Sequence, residues 1–231
     1  PDSIHKYMNL PRKMKVFDYD RGEKEFTMSP MDSIRYMNHF LHCGFVAMEP
    51  DTKYVKAWVG DVDYNYWQYD KVSQSKRQPG STFKLFVYTA GMIAGKSPCD
   101  KIQDQPFTWG TGEDAWRPRN STGGYSYDNM TLKRAFARSV NSVAAQLAKE
   151  VGIRNVAKCA YELGIKSKLD EVPTLSLGAS DVTLLEMVNS YSTVAGEGMY
   201  HAPVIVTKIV DKDGYTIYEN NVKPKRVLSY E

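Results

Sequence analysis

The apolar pattern predicts an α+β fold, with an antiparallel sheet flanked by a mostly helical subdomain. Two stretches of alternating apolar and polar residues, one near each end of the chain, are bounded by turn residues and read as β-hairpins. Between them, apolar residues recur every three or four positions, the spacing of helices that bury one face. A chain of 231 residues is long enough for one large domain or two small ones and to bury roughly 70–75% of its unfolded surface, which allows a sizeable core.

In chain order, residues 1–28 are polar and irregular, a connector with one strand at Met14–Tyr19. Ser29-Pro30-Met31-Asp32 is a helix start with proline in the first turn. Ile34, Met37, Phe40 and Leu41 carry that helix toward Gly44. Phe45–Met48, the turn Pro50-Asp51-Thr52 and Tyr54–Val59 make the first hairpin. A strongly apolar helix starts at Ser81 and is closed by Gly95 and Pro98. Residues 97–129 form a long irregular excursion of the kind that carries function. Helices dominate Thr131–Leu163, and another runs from Asp181, a good N-cap, to Gly196-Glu197-Gly198. Val204–Val210 and Tyr215–Tyr218, joined by Asp211-Lys212-Asp213-Gly214, make the second hairpin.

Composition narrows the function classes. The chain is 42% apolar and 25% charged, with 30 basic and 27 acidic residues for a net charge of +3. That excludes an acidic disordered tail and a strongly basic nucleic-acid binder. The longest apolar stretch, Leu85–Gly95, is far short of the roughly 20 residues that span a bilayer. The chain opens on Pro1 rather than Met, with no basic segment leading into an apolar one, and so reads as part of something longer. Cys43, Cys99 and Cys159 are too widely spaced for a metal-ligand pair or a disulfide framework.

The sharpest local feature is Arg77-Gln78-Pro79-Gly80-Ser81-Thr82-Phe83-Lys84. With a helix starting near Gly80, Ser81 and Lys84 are i and i+3, so hydroxyl and amine share a face within hydrogen-bond reach. Ser81 also sits at the positive end of the helix, where its N–H is free to hold a developing oxyanion. Phe83, Leu85, Phe86 and Val87 surround Lys84 with apolar side chains, which lowers an amine's pKa and suits it to accept a serine proton. The plainer alternative makes Ser81 an N-cap and Lys84 a solvated first-turn residue. The second element is Ser139-Val140-Asn141, a hydroxyl and an amide two positions apart. The alternative there is a helix-to-helix turn in which Ser139 or Asn141 caps.

Two rival signals fail. Ala90–Ser97 fits a loose phosphate-loop pattern but ends a helix instead of following a strand. His39, His42 and Cys43 lie close together, yet a zinc site needs three or four ligands, and a helix-end histidine pair is the simpler reading.

Taken in order, the two motifs resemble the transpeptidase domain of class A penicillin-binding proteins, in the penicilloyl-serine transferase superfamily. Phe45–Gly60 is similar to that family's opening hairpin, Trp116-Arg117-Pro118-Arg119-Asn120 to its Trp-x-Pro-x-Asn loop, and Leu175–Pro203 to its Leu-Gly and Gly-x-x-x-x-Pro region. The resemblance covers about residues 43–229. It divides the chain into a linker and helix at 1–42 and a β-lactamase/transpeptidase-like catalytic domain at 43–231.

The resemblance implies that Ser81 attacks the carbonyl between the two terminal D-alanines of a peptidoglycan stem peptide and that Lys84 takes its proton. It implies that Ser139 relays a proton to the leaving D-alanine and that Asn141, Trp116 and Asn120 bind substrate. An amine of a neighbouring stem then resolves the acyl-enzyme into a cross-link, while β-lactams leave the serine blocked. No metal or organic cofactor is implied. The implied setting is extracytoplasmic, in a membrane-anchored parent fused to a glycosyltransferase domain.

One departure stands out: no Lys-[Ser/Thr]-Gly follows Gly95-Lys96-Ser97. The resemblance therefore predicts a sheet lacking its three later strands, with an exposed edge that a further segment or a second chain completes. A serine β-lactamase is the rival enzyme reading. Asn141 stands where class D enzymes usually have valine, and the nearest match to a deacylating glutamate is Glu186. A silent peptidoglycan- or antibiotic-binding domain is the third.

Overall fold

The computed structural model describes residues 2–229. Helix α1 (Asp2–Met8) leads into an antiparallel pair, β1 (Arg12–Asp18) and β2 (Gly22–Met28), and then α2 (Pro30–Met37). The expected strand at Met14–Tyr19 forms as β1, while the rest of the expected irregular connector holds a helix and a second seven-residue strand, in register from Arg12↔Met28 to Asp18↔Gly22. The charged run Asp18–Glu25 hides the turn inside it, and most of β2 is exposed, so no buried alternation marks it as a strand. Gly22, at φ +71, supplies the left-handed residue that this turn requires.

Helix α2 is capped as expected, Ser29 Oγ accepting from the Asp32 N–H at 3.1 Å. It ends at Met37 instead of Gly44. His39 and His42 therefore lie beyond the helix, and His42 Nδ1 sits 2.9 Å from an Asp61 oxygen. Phe17, Phe40 and Trp67 pack edge to face, with centroids 4.9–5.7 Å apart, and tie the N-terminal hairpin to the rest.

The first expected hairpin forms as β3 (Phe45–Met48) and β4 (Val55–Val59). Strand β5 (Lys76–Arg77) precedes a 3-10 turn, Gly80–Phe83, which opens α3 (Lys84–Ile93). The excursion after it is closed at its base by β6 (Lys101–Gln103) paired with β7 (Asn129–Thr131). Three helices follow: α4 (Leu132–Ala137), α5 (Asn141–Val151) and α6 (Ile153–Leu163).

Next, β8 (Val182–Thr183) pairs with β5 and runs directly into α7 (Leu184–Ala195). The cap of α7 is Thr183, not Asp181. Thr183 and Glu186 form a reciprocal capping box that leaves Asp181 no role in the cap. After α7 come β9 (Met199–Tyr200), the second hairpin β10 (Lys208–Val210) and β11 (Thr216–Glu219), and β12 (Lys225–Arg226), which pairs with β9. Strand β10 is shorter than expected because Val204 instead bridges in parallel to Tyr54.

Among the described residues every ladder has two strands. The core lies between α3, α5 and α6, where Phe86, Val87, Val143, Leu147, Val156 and Leu163 are fully buried. Each such side chain contributes about 1.5–3 kcal/mol by leaving water. Gly91 permits the close approach of α3 to α5, since a Cβ there would meet Leu147 at 3.3 Å. No described helix is long and apolar enough to cross a membrane.

Candidate active site

Ser81 sits in the 3-10 turn, exposed, while Lys84 one turn on is 1% exposed at the start of α3, whose Phe86 and Val87 belong to the core. Three contacts fix that turn. Gly80, at φ +57, donates its N–H to the Gly178 carbonyl at 3.3 Å; Tyr191 Oη donates to the Thr82 carbonyl at 2.9 Å; and β5, just upstream, is held by β8. Gly178 is itself left-handed, and a Cβ on it would lie 2.2 Å from the Gly80 carbonyl oxygen, so no other residue fits there. Among the described residues nothing accepts from the Ser81 N–H, which leaves it free to face an oxyanion.

The second wall comes from the join of α4 and α5. Ser139 takes φ +54, a conformation that costs a non-glycine residue roughly 1 kcal/mol. The Val140 N–H reaches back to the Ala135 carbonyl at 3.0 Å, closing the end of α4 as a Schellman turn. That turn aims the serine's oxygens inward. Lys84 Nζ donates to the Ser139 carbonyl at 2.6 Å, to Ser139 Oγ at 3.0 Å and to Asn141 Oδ1 at 2.5 Å. The join is a helix-to-helix turn, as the plainer alternative had it, but its caps are Arg138 and Val140, which leaves Ser139 and Asn141 to face the lysine.

Burial lowers the Lys84 pKa to about 8, so roughly one amine in ten is neutral at pH 7. The structure differs from the expected Ser81–Lys84 contact, because the amine's donors are taken up by Ser139 and Asn141. Such contacts often tighten only when substrate binds.

Asn120 has a different place from the expected substrate contact. Its Oδ1 accepts from the N–H groups of Asn141 and Ser142 at 3.0 and 3.1 Å, and its Nδ2 donates to Asp104 at 2.8 Å and to the Gly124 carbonyl at 3.0 Å. All its hydrogen-bonding capacity is internal. It caps α5 from a loop about twenty residues upstream, which no local capping pattern reveals.

Asp104, which sequence reasoning did not single out, is 4% exposed and anchors this network. Its Oδ1 also accepts from Ser142 Oγ at 2.5 Å, and its Oδ2 accepts from the Ser126 N–H at 2.8 Å. Burial opposes its charge, but these donors outweigh burial and hold its pKa below the usual range. Asn141 Nδ2 donates to the Arg119 carbonyl at 2.7 Å, which fixes the amide's orientation toward Lys84. Trp116 pairs its backbone with Trp109 at 2.9 Å in both directions and stands half-buried at the side of this loop.

Glu186 is committed elsewhere. It accepts from the N–H groups of Lys166, Ser167 and Thr183 at 2.7–2.9 Å, which hold it ionised against its burial. No described cluster of three or more His, Cys, Asp or Glu side chains has the arrangement of a metal site. The cysteines are free, and burial pushes the Cys159 thiol up to about 12.

The structure thus brings together an exposed serine on a pinned turn, a desolvated lysine one turn on, and a Ser-x-Asn wall that closes over that lysine. The family model of the penicillin-binding protein transpeptidase domain matches residues 43–231, and that of the penicillin-binding protein middle domain matches residues 1–41. The chain belongs to the penicillin-binding protein transpeptidase family.

It is 34% identical over 190 residues to penicillin-binding protein 2D of Bacillus subtilis, covering 81% of this chain and 28% of that protein. Penicillin-binding protein 1A from Haemophilus influenzae superposes with a TM-score of 0.73 at 29% identity, over 80% of this chain and 27% of that one. The imipenem acyl-enzyme of penicillin-binding protein A from M. tuberculosis superposes at 0.68 and 21% identity, over 81% and 54%, and shares the fold. The chain spans about a quarter of the length of the curated relatives it matches.

Proposed function

We propose that this chain is the serine acyl-transfer unit of a peptidoglycan D,D-transpeptidase, with Ser81 as nucleophile. The observation that carries this reading is the set of three oxygens, two from Ser139 and one from Asn141, gathered on a buried Lys84 amine. Oxygens gathered on a desolvated amine one turn from an exposed serine are the arrangement that proton transfer needs.

Neutral Lys84 takes the Ser81 proton as Oγ bonds to the carbonyl carbon between the two terminal D-alanines. The oxyanion that forms faces the Ser81 N–H. The C–N bond then breaks, and the lysine's proton passes through Ser139 Oγ to the departing D-alanine amine. In the second half, the amine of a neighbouring stem attacks the ester carbon, its proton returns by the same route, and the C–Oγ bond breaks to regenerate Ser81. Asn141 orients the donor peptide, and Trp116 offers it an apolar side wall. A β-lactam enters as the donor but leaves Ser81 acylated, in keeping with the imipenem acyl-enzyme that shares this fold.

This reading includes a domain division near residue 42 and a membrane-anchored parent acting outside the cytoplasm. It also includes fusion of that parent to a glycosyltransferase domain, and a Lys-Thr/Ser-Gly strand supplied from outside these residues. No cofactor enters any step.

The test is incubation with a fluorescent penicillin beside a Ser81→Ala control, with the adduct mapped by peptide mass spectrometry. A single stable adduct on the Ser81 peptide is expected. Labelling that persists in Ser81→Ala contradicts the assignment. Repeated turnover of nitrocefin would favour a β-lactamase instead, an outcome the commitment of Glu186 argues against.

A further inference from the structure

A hollow of about 400 Å³ opens beside Ser139, between the 120–126 loop and the end of α4, with polar groups from Ser121, Thr122, Ser126 and Arg138 set among Tyr125, Met130 and Val140. Ser139, which accepts from Lys84, also lines this hollow, so the hollow adjoins the site of the mechanism above. The closed side carries Asp104, whose oxygens are taken up by Ser142, Asn120 and Ser126. On the open side stands Arg138, exposed. Unlike Arg134, which reaches Asp128 at 3.7 Å, Arg138 has no acidic partner among the described residues. The hydroxyls of Ser121 and Thr122 also line the hollow and make no hydrogen bond among the described residues. A guanidinium fork beside two uncommitted hydroxyl donors matches the two oxygens of a carboxylate.

We propose that this hollow binds a carboxylate of the acceptor peptide, with Arg138 as its specificity-determining residue and Ser121 and Thr122 as added donors. This rests on the acyl-transfer reading, in which two peptides meet at one serine. The donor's scissile bond lies over Ser81 and Lys84, so an adjoining hollow lined by Ser139 but by neither of those residues serves the second peptide. Occupancy there orients the acceptor's amine toward the ester carbon. Arg138 thereby controls the aminolysis half of the reaction and leaves acylation alone.

The test is a ¹H–¹⁵N NMR titration of the full chain with the dipeptide L-alanyl-D-glutamate and, separately, with its bis-amide. The diacid is expected to shift the amides of Ser121, Thr122 and Ser139 saturably, and the bis-amide to bind at least tenfold more weakly. Arg138→Gln should lose the same factor for the diacid, Arg138→Lys should recover part of it, and both should keep wild-type labelling by fluorescent penicillin. Equal binding of acid and amide, or an unchanged Arg138→Gln, overturns the proposal. Ser81→Ala should bind the diacid normally while losing the penicillin adduct. Failure of labelling alone thus counts against the acyl-transfer reading, and failure of diacid binding alone counts against the subsite.

Discussion

Two regions of this molecule each bury a lysine, and they differ in what surrounds the amine. At the start of α3, Lys84 is 1% exposed, and its amine meets three oxygens from the α4–α5 join. In the turn between β3 and β4, Lys53 is 0% exposed, stands at φ +55, and its amine has no hydrogen-bond partner. Burial lowers both amines to about 8. Desolvation alone therefore does not mark a site. The acceptors do, because only Lys84 has oxygens placed to hold and pass on a proton beside a free hydroxyl.

The sharpest way to break this contrast is to remove each amine in turn. Lys84→Met should lower the rate of penicillin acylation by about 10³-fold, within the range for loss of a general base, with the circular dichroism of the wild type retained. A Lys84→Met that acylates within tenfold of wild type would end the comparison.

Gly178→Ala tests the support beneath the serine. The added Cβ meets the Gly80 carbonyl, and the left-handed backbone disfavours it further, so a stability loss of about 2–4 kcal/mol is expected in urea melts.

Asn120→Ala uncaps α5 and unpins the Asn141 backbone. It should cost about 1–2 kcal/mol and slow acylation more than it weakens the fold.

Lys53→Met keeps the aliphatic stem and removes the unpartnered amine. It should stabilise the fold by about 1–3 kcal/mol and leave acylation unchanged, the smallest effect on chemistry of the four.

Much of this architecture was legible in the sequence because its signals are local. The periodicity of Val143, Leu147, Val156 and Leu163 marked the core helices, and the two motifs named Lys84 and the Ser139 and Asn141 that come to face it, though not the expected Ser81–Lys84 contact. What stayed hidden depends on partners distant in the chain. Asn120 reads as a substrate contact until the cap of α5 is seen, and Asp104 has no motif at all. The resemblance placed Gly178 in a Leu-Gly region, but the reason for glycine there is the Gly80 carbonyl packed against it. Strand β2, and with it the β1–β2 pairing, escaped because its charged, exposed face shows no alternation. Asp181 was the better cap by residue type alone, and the Thr183–Glu186 pair displaced it.

The most direct measurement is the pH dependence of acylation by a fluorescent penicillin in the wild type and in Lys53→Met. Lys84 accepts a proton only when neutral, so the rate should rise about tenfold per pH unit up to about 8 and level off above it. That inflection should be unchanged when Lys53 is replaced. A flat profile, or an inflection that vanishes in Lys53→Met, would contradict the assignment of Lys84 as the proton acceptor.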